Sequence, residues 1–204
     1  MPKIQNKYSF TEKIELGYNL FRTKLLHRSA RLIRFPFVIR GKQYIDLGTS
    51  LTTGVGCRLE AFTLNDSKHN RIIFGHDVQI NDYVHISAIE KIEIGDGVLM
   101  ASHVYISDNS HGIYSGSSID SSPLIPPKER EYIAKPVKIG KNVWIGEGVI
   151  IMPGVEIGDG CIIGAHSIVN KNIEENSMAV GSPAKVIKKY SFDKGIWEKY
   201  QKDL

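Results

Sequence analysis

The sequence lacks several features that would send it to common protein classes. No apolar run approaches the roughly 18 residues of a membrane-spanning helix. The opening stretch MPKIQNKYSF is too polar for a secretory signal. The only cysteines, Cys57 and Cys161, lie far apart and outside any CxxC or Cys/His spacing. Neither a disulfide framework nor a structural zinc site is therefore expected, and a reducing cytoplasm is the default setting. There is no HxxxxH, no GxGxxG and no flat array of threonines. These absences argue against zinc hydration chemistry, an appended dinucleotide-binding domain and an ice-binding surface. A net charge of +4 with 24% charged residues is too mild to argue for nucleic acid. The excess is nonetheless uneven. Lys24, His27, Arg28, Arg31, Arg34 and Arg40 cluster near the start, and Lys185, Lys188 and Lys189 near the end.

What the chain has is a period. Counting from Ile139, residues Ile145, Ile151, Ile157, Ile163 and Val169 follow at steps of six, and glycine follows four of these six positions. Two residues earlier runs a second column, Val137, Val143, Val149, Val155, Cys161 and Ser167. Upstream the same step gives Ile94, Met100 and Ile106, then Phe74, Ile80 and Ile86, with Leu47, Thr53 and Leu59 as a degenerate first set. A step of six fits neither a 3.6-residue helix nor a plain alternating strand. It fits a solenoid of short parallel strands ended by turns such as Gly140-Lys141-Asn142 and Gly158-Asp159-Gly160. Three hexapeptides close one triangular coil, so the sets predict an all-β solenoid of about five coils with stacked Ile and Val as its core.

The segment KPVKIGKNVWIGEGVIIMPGVEIGDGCIIGAHSIVNKNI, with the closing AVGSPAKVIKKY, resembles the hexapeptide-repeat acyltransferases. Within that family it is most similar to the maltose/galactoside O-acetyltransferases and to the O-acetyltransferases of surface-polysaccharide synthesis. The resemblance covers residues 44–190. It implies a left-handed parallel β-helix, a homotrimer with active sites between subunits, acetyl-coenzyme A as donor, a carbohydrate acceptor and no metal requirement. The implied activity is O-acetyl transfer to a sugar hydroxyl in surface-polysaccharide biosynthesis. The alternative is N-acetylation of an aminosugar nucleotide.

The period breaks once, at ISDNSHGIYSG (106–116), and resumes at Val137. The body of the break, SGSSIDSSPLIPPKEREYIAKP, carries prolines at 123, 126, 127 and 136. Loops of this length with no repeat to pack them are usually functional or disordered. In the family such a loop covers the active site and starts at the catalytic histidine, which the alignment places at His111. The chemistry asks for a base with a pKa near neutrality to take the proton of a hydroxyl attacking a thioester. Asp108, Asn109 and Glu129 are candidates to orient that base. The alignment also assigns Asn81 to the acceptor, with His85 and Asn109 beside it. Donor positions carried over from the family are Trp144, Gly146, Glu147, Gly164 and Ala165 along the coils, then Lys171, Lys185 and Lys188 at the coenzyme phosphates. Lysines suit phosphates as flexible point charges. His103 and His166 fall at turns and are expected to be exposed, while His27, His69 and His76 carry no signal.

Three parts are expected: a helical cap over 1–40, the β-helix over 41–190 with loop 108–136 extruded, and a short helical tail over 191–204. In the cap, Phe10, Ile14, Tyr18, Phe21, Leu25 and Leu32 recur at helical spacing, with Thr11 an indifferent capping residue. The first expectation is that this helix caps the open end of the solenoid. The second is contact with anionic lipid, which would make the protein peripheral to the inner membrane from its cytoplasmic side.

Overall fold

The computed structural model describes residues 7–63, 69 and 71–200. Three parallel sheets wrap one core. Across the first sheet lie, in order, Val38–Arg40, Arg58–Ala61, His85–Ala88, Tyr105–Ser107, Ile150–Ile151 and Ile168–Val169. The second holds Ile45–Asp46, Ile72–Phe74, Ile92–Ile94, Val137–Ile139 and Glu156–Ile157. The third holds Thr52–Thr53, Gln79–Ile80, Leu99–Met100, Trp144–Ile145, Ile162–Ile163 and Ser177–Val180. The chain visits the three sheets in rotation, so each circuit lays one strand on each wall. This is the solenoid that the six-residue step predicts.

The columns of the sequence are the columns of the core. On the first wall Ile39, Leu59, Ile86, Ile106, Ile151 and Val169 stand in register. On the third, Thr53, Ile80, Met100, Ile145, Ile163 and Ala179 do the same. Apart from Ile39, all of these are buried. Each β-branched side chain thus fills the layer between two copies of its own position, which is why Ile and Val are repeated rather than mixed. Corners are closed by left-handed residues. Gly97, Gly148 and Gly160 serve at some corners and Asn142, His103 and His166 at others, the two histidines being exposed as expected.

A second ladder runs along the corners. Asp82, Asp96 and Asp159 each accept the backbone N–H of a turn in the preceding coil, at Val55, His76 and Lys141, over 2.7–2.8 Å. An aspartate at the corner of one coil therefore caps the corner of the coil before it, satisfying a turn N–H that has no ladder partner.

Both ends depart from expectation. The helix Phe10–Leu26 is capped by Ser9, not Thr11. Glu12 N–H donates to Ser9 Oγ at 3.3 Å, and Ser9 N–H donates to Glu12 Oε2 at 2.6 Å. This is the S-x-x-E capping box, legible in Ser9-Phe10-Thr11-Glu12. The solenoid already begins at Val38, inside the expected cap. The helix docks through polar residues: buried Thr23 Oγ1 accepts from Ile33 N–H at 2.8 Å and buried Asn19 Oδ1 from Phe35 N–H at 3.2 Å. The first coil has no preceding coil to satisfy these backbone donors, so the helix supplies acceptors. The expected helical cap is present, but it docks by its polar face and leaves the apolar face outward.

The tail is corrected too. No helix forms between 191 and 200. Lys185–Ser191 pairs antiparallel with Ser177–Val180, and Ile196–Lys199 pairs antiparallel with Lys188–Ser191. Asp193-Lys194-Gly195 provides the turn, with Gly195 at φ +66°, and Tyr190 lies directly opposite Trp197 with ring centres 5.4 Å apart. An aromatic cross-strand pair and a glycine turn outweigh the weak helical spacing of this segment. Residues 201–204 of the expected helix lie outside the described residues.

Candidate active site

The break in the period is an arm that leaves the solenoid between the first and second walls. Its base is a two-stranded ladder, with Asn109–His111 antiparallel to Tyr132–Ala134 and His111 opposite Tyr132. Asp108 roots it. This fully buried carboxylate accepts the backbone N–H groups of Ile89, Glu90 and Lys91 at 2.9, 2.8 and 2.7 Å, and its carbonyl accepts from Lys135 N–H at 2.7 Å. Asp108 therefore clamps the arm to the coil below, and its carboxylate is committed there rather than to His111. Farther out, Asp120 accepts the N–H groups of Ser115 and Gly116. Arg130 donates to the Tyr114 hydroxyl at 2.6 Å, and that hydroxyl donates to the His111 carbonyl at 2.7 Å. This chain of contacts fixes the backbone that carries the histidine.

His111 is exposed, with its ring 4.4 Å from that of Tyr132. Together with Phe62, Ser87, Ile89, Tyr105 and Asn109 these two residues line a cavity of about 430 Å³. Aromatic walls with a few polar groups are the usual composition of a small-molecule site. Among the described residues no side chain hydrogen-bonds the His111 ring, and Glu129 lies in a short 3₁₀ turn (Pro127–Glu129) within the arm. Asn109, an expected acceptor contact, does line the cavity, with its amide donating to Asp108 Oδ1 at 3.0 Å. Tyr105, Tyr132 and Phe62 were missed. Tyr105 and Tyr132 could have been inferred, the one from its strand position beside His85, the other only by pairing the two ends of the arm.

His85 stands one step back from the cavity, its ring 5.2 Å from that of Tyr105. Its Nε2 lies 2.9 Å from Glu60 Oε2, and an ionised carboxylate only accepts, so the hydrogen sits on Nε2. Glu60, whose side chain is 4% exposed, also holds Arg40 at 2.8 Å and Arg58 at 2.6 Å. Burial alone would raise the Glu60 carboxyl, but the hydrogen bonds from Arg58 and His85 and the charges of Arg58 and Arg40 outweigh it and hold it below its usual range. Asn81 is not among the cavity residues. It follows Gln79–Ile80 on the third wall and accepts from Gln79 Nε2 at 3.1 Å.

The donor positions fall on the third wall. Trp144 is half exposed between Leu99 and Ile162 in register. Gly146 and Gly164 have a local reason to be glycine. A Cβ on Gly146 would meet Ala165 N at 2.6 Å, and one on Gly164 would meet Val180 Cγ1 at 2.6 Å. Glu147 belongs to the corner-capping series, since its Oε2 accepts from Ser102 N–H at 3.1 Å. Lys171 and Lys185 meet around a cavity of about 530 Å³ with Lys189, which is ion-paired to Glu174. Lys188 does not line it. Among the described residues neither Lys171 nor Lys185 is in an ion pair.

A triangular parallel solenoid broken by one histidine-bearing arm is the architecture of a hexapeptide-repeat transferase. Residues 136–171 match the family model described as bacterial transferase hexapeptide (six repeats). Over 197 residues, 97% of this chain and 98% of the relative, the sequence is 43% identical to the putative lipopolysaccharide biosynthesis O-acetyl transferase WbbJ of Escherichia coli (strain K12). The chain belongs to the hexapeptide-repeat transferases. Among solved structures it resembles a maltose O-acetyltransferase from Clostridium difficile 630, at 30% identity and TM-score 0.59 over 89% of this chain and 91% of that one. It also resembles AntD, an N-acyltransferase from Bacillus cereus solved with dTDP-4-amino-4,6-dideoxyglucose and coenzyme A, at 26% identity and TM-score 0.65 over 81% and 83%.

Proposed function

We propose that this enzyme transfers an acetyl group from acetyl-coenzyme A to a sugar hydroxyl of a surface-polysaccharide precursor, with His111 as general base. The observation that carries the reading is the placement of His111. The imidazole is exposed at the mouth of an aromatic-walled cavity, on a backbone held by Asp108, Tyr114 and Arg130. In the step it serves, the hydroxyl proton passes to the imidazole as the oxygen bonds to the thioester carbonyl carbon. The carbon–sulfur bond then breaks and the proton leaves with the thiol. Tyr105, Tyr132 and Phe62 offer apolar faces to a sugar ring, while Ser87 and Asn109 offer hydrogen bonds to its hydroxyls.

The reading extends to a cytoplasmic homotrimer of left-handed coils. Its support is the contrast between the outer faces. The second wall presents Glu93, Lys138 and Glu156 in register, with Lys138 and Glu156 paired at 3.2 Å. The other two present apolar rows over their later coils, Leu99–Trp144–Ile162–Met178 and Tyr105–Ile150–Ile168, which turn polar in the earlier coils at Gln79 and Thr52 and at His85 and Arg58. Apolar walls suit contact between subunits and a charged wall suits water. Acetyl-coenzyme A would lie along Trp144, Gly146, Gly164 and Ala165, with its phosphates toward Lys171 and Lys185.

The test is turnover of acetyl-coenzyme A by wild type and His111→Ala, with hydroxyl-bearing and amine-bearing sugars in competition. The expected result is acetylation of the hydroxyl and a fall in kcat of about 10²- to 10⁴-fold in the variant, the usual worth of a general base. Unchanged turnover would remove His111 from the chemistry. Preference for the amine would favour the N-acyl transfer that AntD performs.

A further inference from the structure

The helix Phe10–Leu26 is built inside out. Its buried residues are the polar Asn19 and Thr23, whereas Phe10, Ile14, Tyr18, Phe21 and Leu25 are between 58 and 77% exposed. These five fall within about 80° of arc on a helical wheel, at spacings of three, four or seven, and so form one continuous stripe. From Phe10 to Leu25 the stripe runs about 22 Å at 1.5 Å per residue. Single exposed hydrophobics need no explanation, but a contiguous patch of this size marks a binding surface.

The flanks of the stripe are mainly cationic, with Glu15 beside Arg22 as the one acidic residue bordering it. Lys13 and Lys24 border one edge and Arg22 the other, with its guanidinium over the rings of Phe35 at 3.7 Å and Tyr18 at 5.5 Å. Over residues 7–34 there are seven Lys and Arg (7, 13, 22, 24, 28, 31, 34) against two Glu (12, 15). Glu12 is tied up in the capping box. We infer that this stripe is a membrane-docking element that lies in the plane of an anionic lipid surface, apolar side chains inserted and cations at the headgroups. The signature is that of interfacial helices: a broad apolar face, basic borders and no capacity to span. Among the described residues no helix is long and apolar enough to cross a membrane. Charge complementarity selects lipid over another copy of the same element, because two such stripes face to face would bring their cationic borders together. Docking by the polar face is the other half of the device. Asn19 and Thr23 hold the helix to the first coil without consuming the apolar face.

The test is flotation of the full chain with vesicles of phosphatidylcholine alone and of phosphatidylcholine with one quarter phosphatidylglycerol, beside sedimentation velocity in the absence of lipid. Wild type is expected to float with the anionic vesicles, to float much less with the neutral ones, and to be released as salt rises. Phe10→Ser/Phe21→Ser/Leu25→Ser is expected to lower binding at least tenfold, with unchanged oligomeric state and unchanged turnover of a soluble acceptor. Lys13→Glu/Lys24→Glu should lose the preference for anionic vesicles. Equal flotation of the stripe variant would overturn the inference, as would failure of wild type to float. Loss of the wild-type oligomer in the stripe variant would overturn it too, by assigning the stripe to a second copy. Flotation and sedimentation do not depend on His111, so the membrane inference and the catalytic reading fail separately.

Discussion

The solenoid wall and the arm are made by opposite rules. In the wall, a position is defined by its copies: Ile145 is fully buried because Met100 and Ile163 stand in register on either side of it. In the arm nothing repeats. Between Tyr114 and Arg130 the apolar residues Ile119, Leu124 and Ile125 are exposed, and order comes from single polar contacts such as those of Asp120 and Arg130. A wall of identical layers cannot place one unique reactive group without upsetting its neighbours. An arm can, and the cost to the fold is one buried clamp at Asp108. Stability and chemistry are thereby assigned to different residues.

The largest expected effect that tests this division is on the wall. Ile145→Ala removes a buried side chain from a close-packed column and should cost about 2–5 kcal/mol in denaturant unfolding. The folded fraction should keep its specific activity. A matching loss of kcat per folded molecule would show that wall and arm are coupled.

The joint comes next. Asp108→Asn replaces one acceptor oxygen with an amide donor facing backbone N–H groups, and a lost hydrogen bond to a charged group is worth about 1.5–3 kcal/mol. Limited proteolysis should then cut within 112–131 sooner than in wild type while the coils stay protected. Cutting at the coils instead would make Asp108 a pillar of the wall.

A smaller effect concerns the donor end. Lys171→Ala/Lys185→Ala should raise KM for acetyl-coenzyme A about tenfold, roughly 1.4 kcal/mol, with kcat little changed. It should also erase discrimination against the dephospho donor. If KM for both donors stays at the wild-type value, the phosphate is held elsewhere.

The smallest is a pH effect. Glu60 has its folded-state carboxyl held below the ordinary value, so the stability it contributes is present above the unfolded carboxylate range near pH 4.5 and is lost as pH falls through the lower folded value. Glu60→Gln should flatten that acidic limb of stability against pH and leave the neutral region of the curve unchanged in slope. An identical acid limb in the variant would move the linkage to other carboxylates, such as Asp96. Its carboxyl is lowered by the backbone N–H of His76 and by Lys141.

The wall was legible because its rule is written once per six residues; the buried columns from Phe74 to Val169 coincide with the periodic ones. The place of His111 at the start of the arm was legible in the break of the period, while its proposed role rests on the family alignment, since nothing in the composition of a polar loop singles out one histidine. Tyr105 sits on the strand that leads into the arm, whereas Tyr132 comes to His111 from the arm's far end, a distance that no local spacing encodes. Glu147 shows the reverse. Its place in the motif suggested a ligand contact, whereas its carboxylate caps Ser102 as Asp82, Asp96 and Asp159 cap other corners. The tail misled because Glu198 and Lys199 favour helices on their own, and only the opposition of Tyr190 and Trp197 decides for strands. The N-terminal helix and its capping place were legible, but not the face by which it docks. Its amphipathic pattern was real, but the polar face is the one the coil required.

The two non-repeating ends answer a problem that every stacked solenoid carries. A coil that accepts one more coil by the same register would accept another chain's coil just as well, so an uncapped column is a seed for filament growth. Here the antiparallel turnback at Lys185–Ser191 reverses strand direction at the last rung, and Ile196–Lys199 then sets a short, lysine-bearing border beyond it. At the opposite end the Asn19 and Thr23 side chains occupy donors that a foreign strand would otherwise seek. The enzyme thus has a length because its first and last elements refuse the rule that builds everything between them, and a chain trimmed of both would be expected to grow end to end rather than simply to unfold.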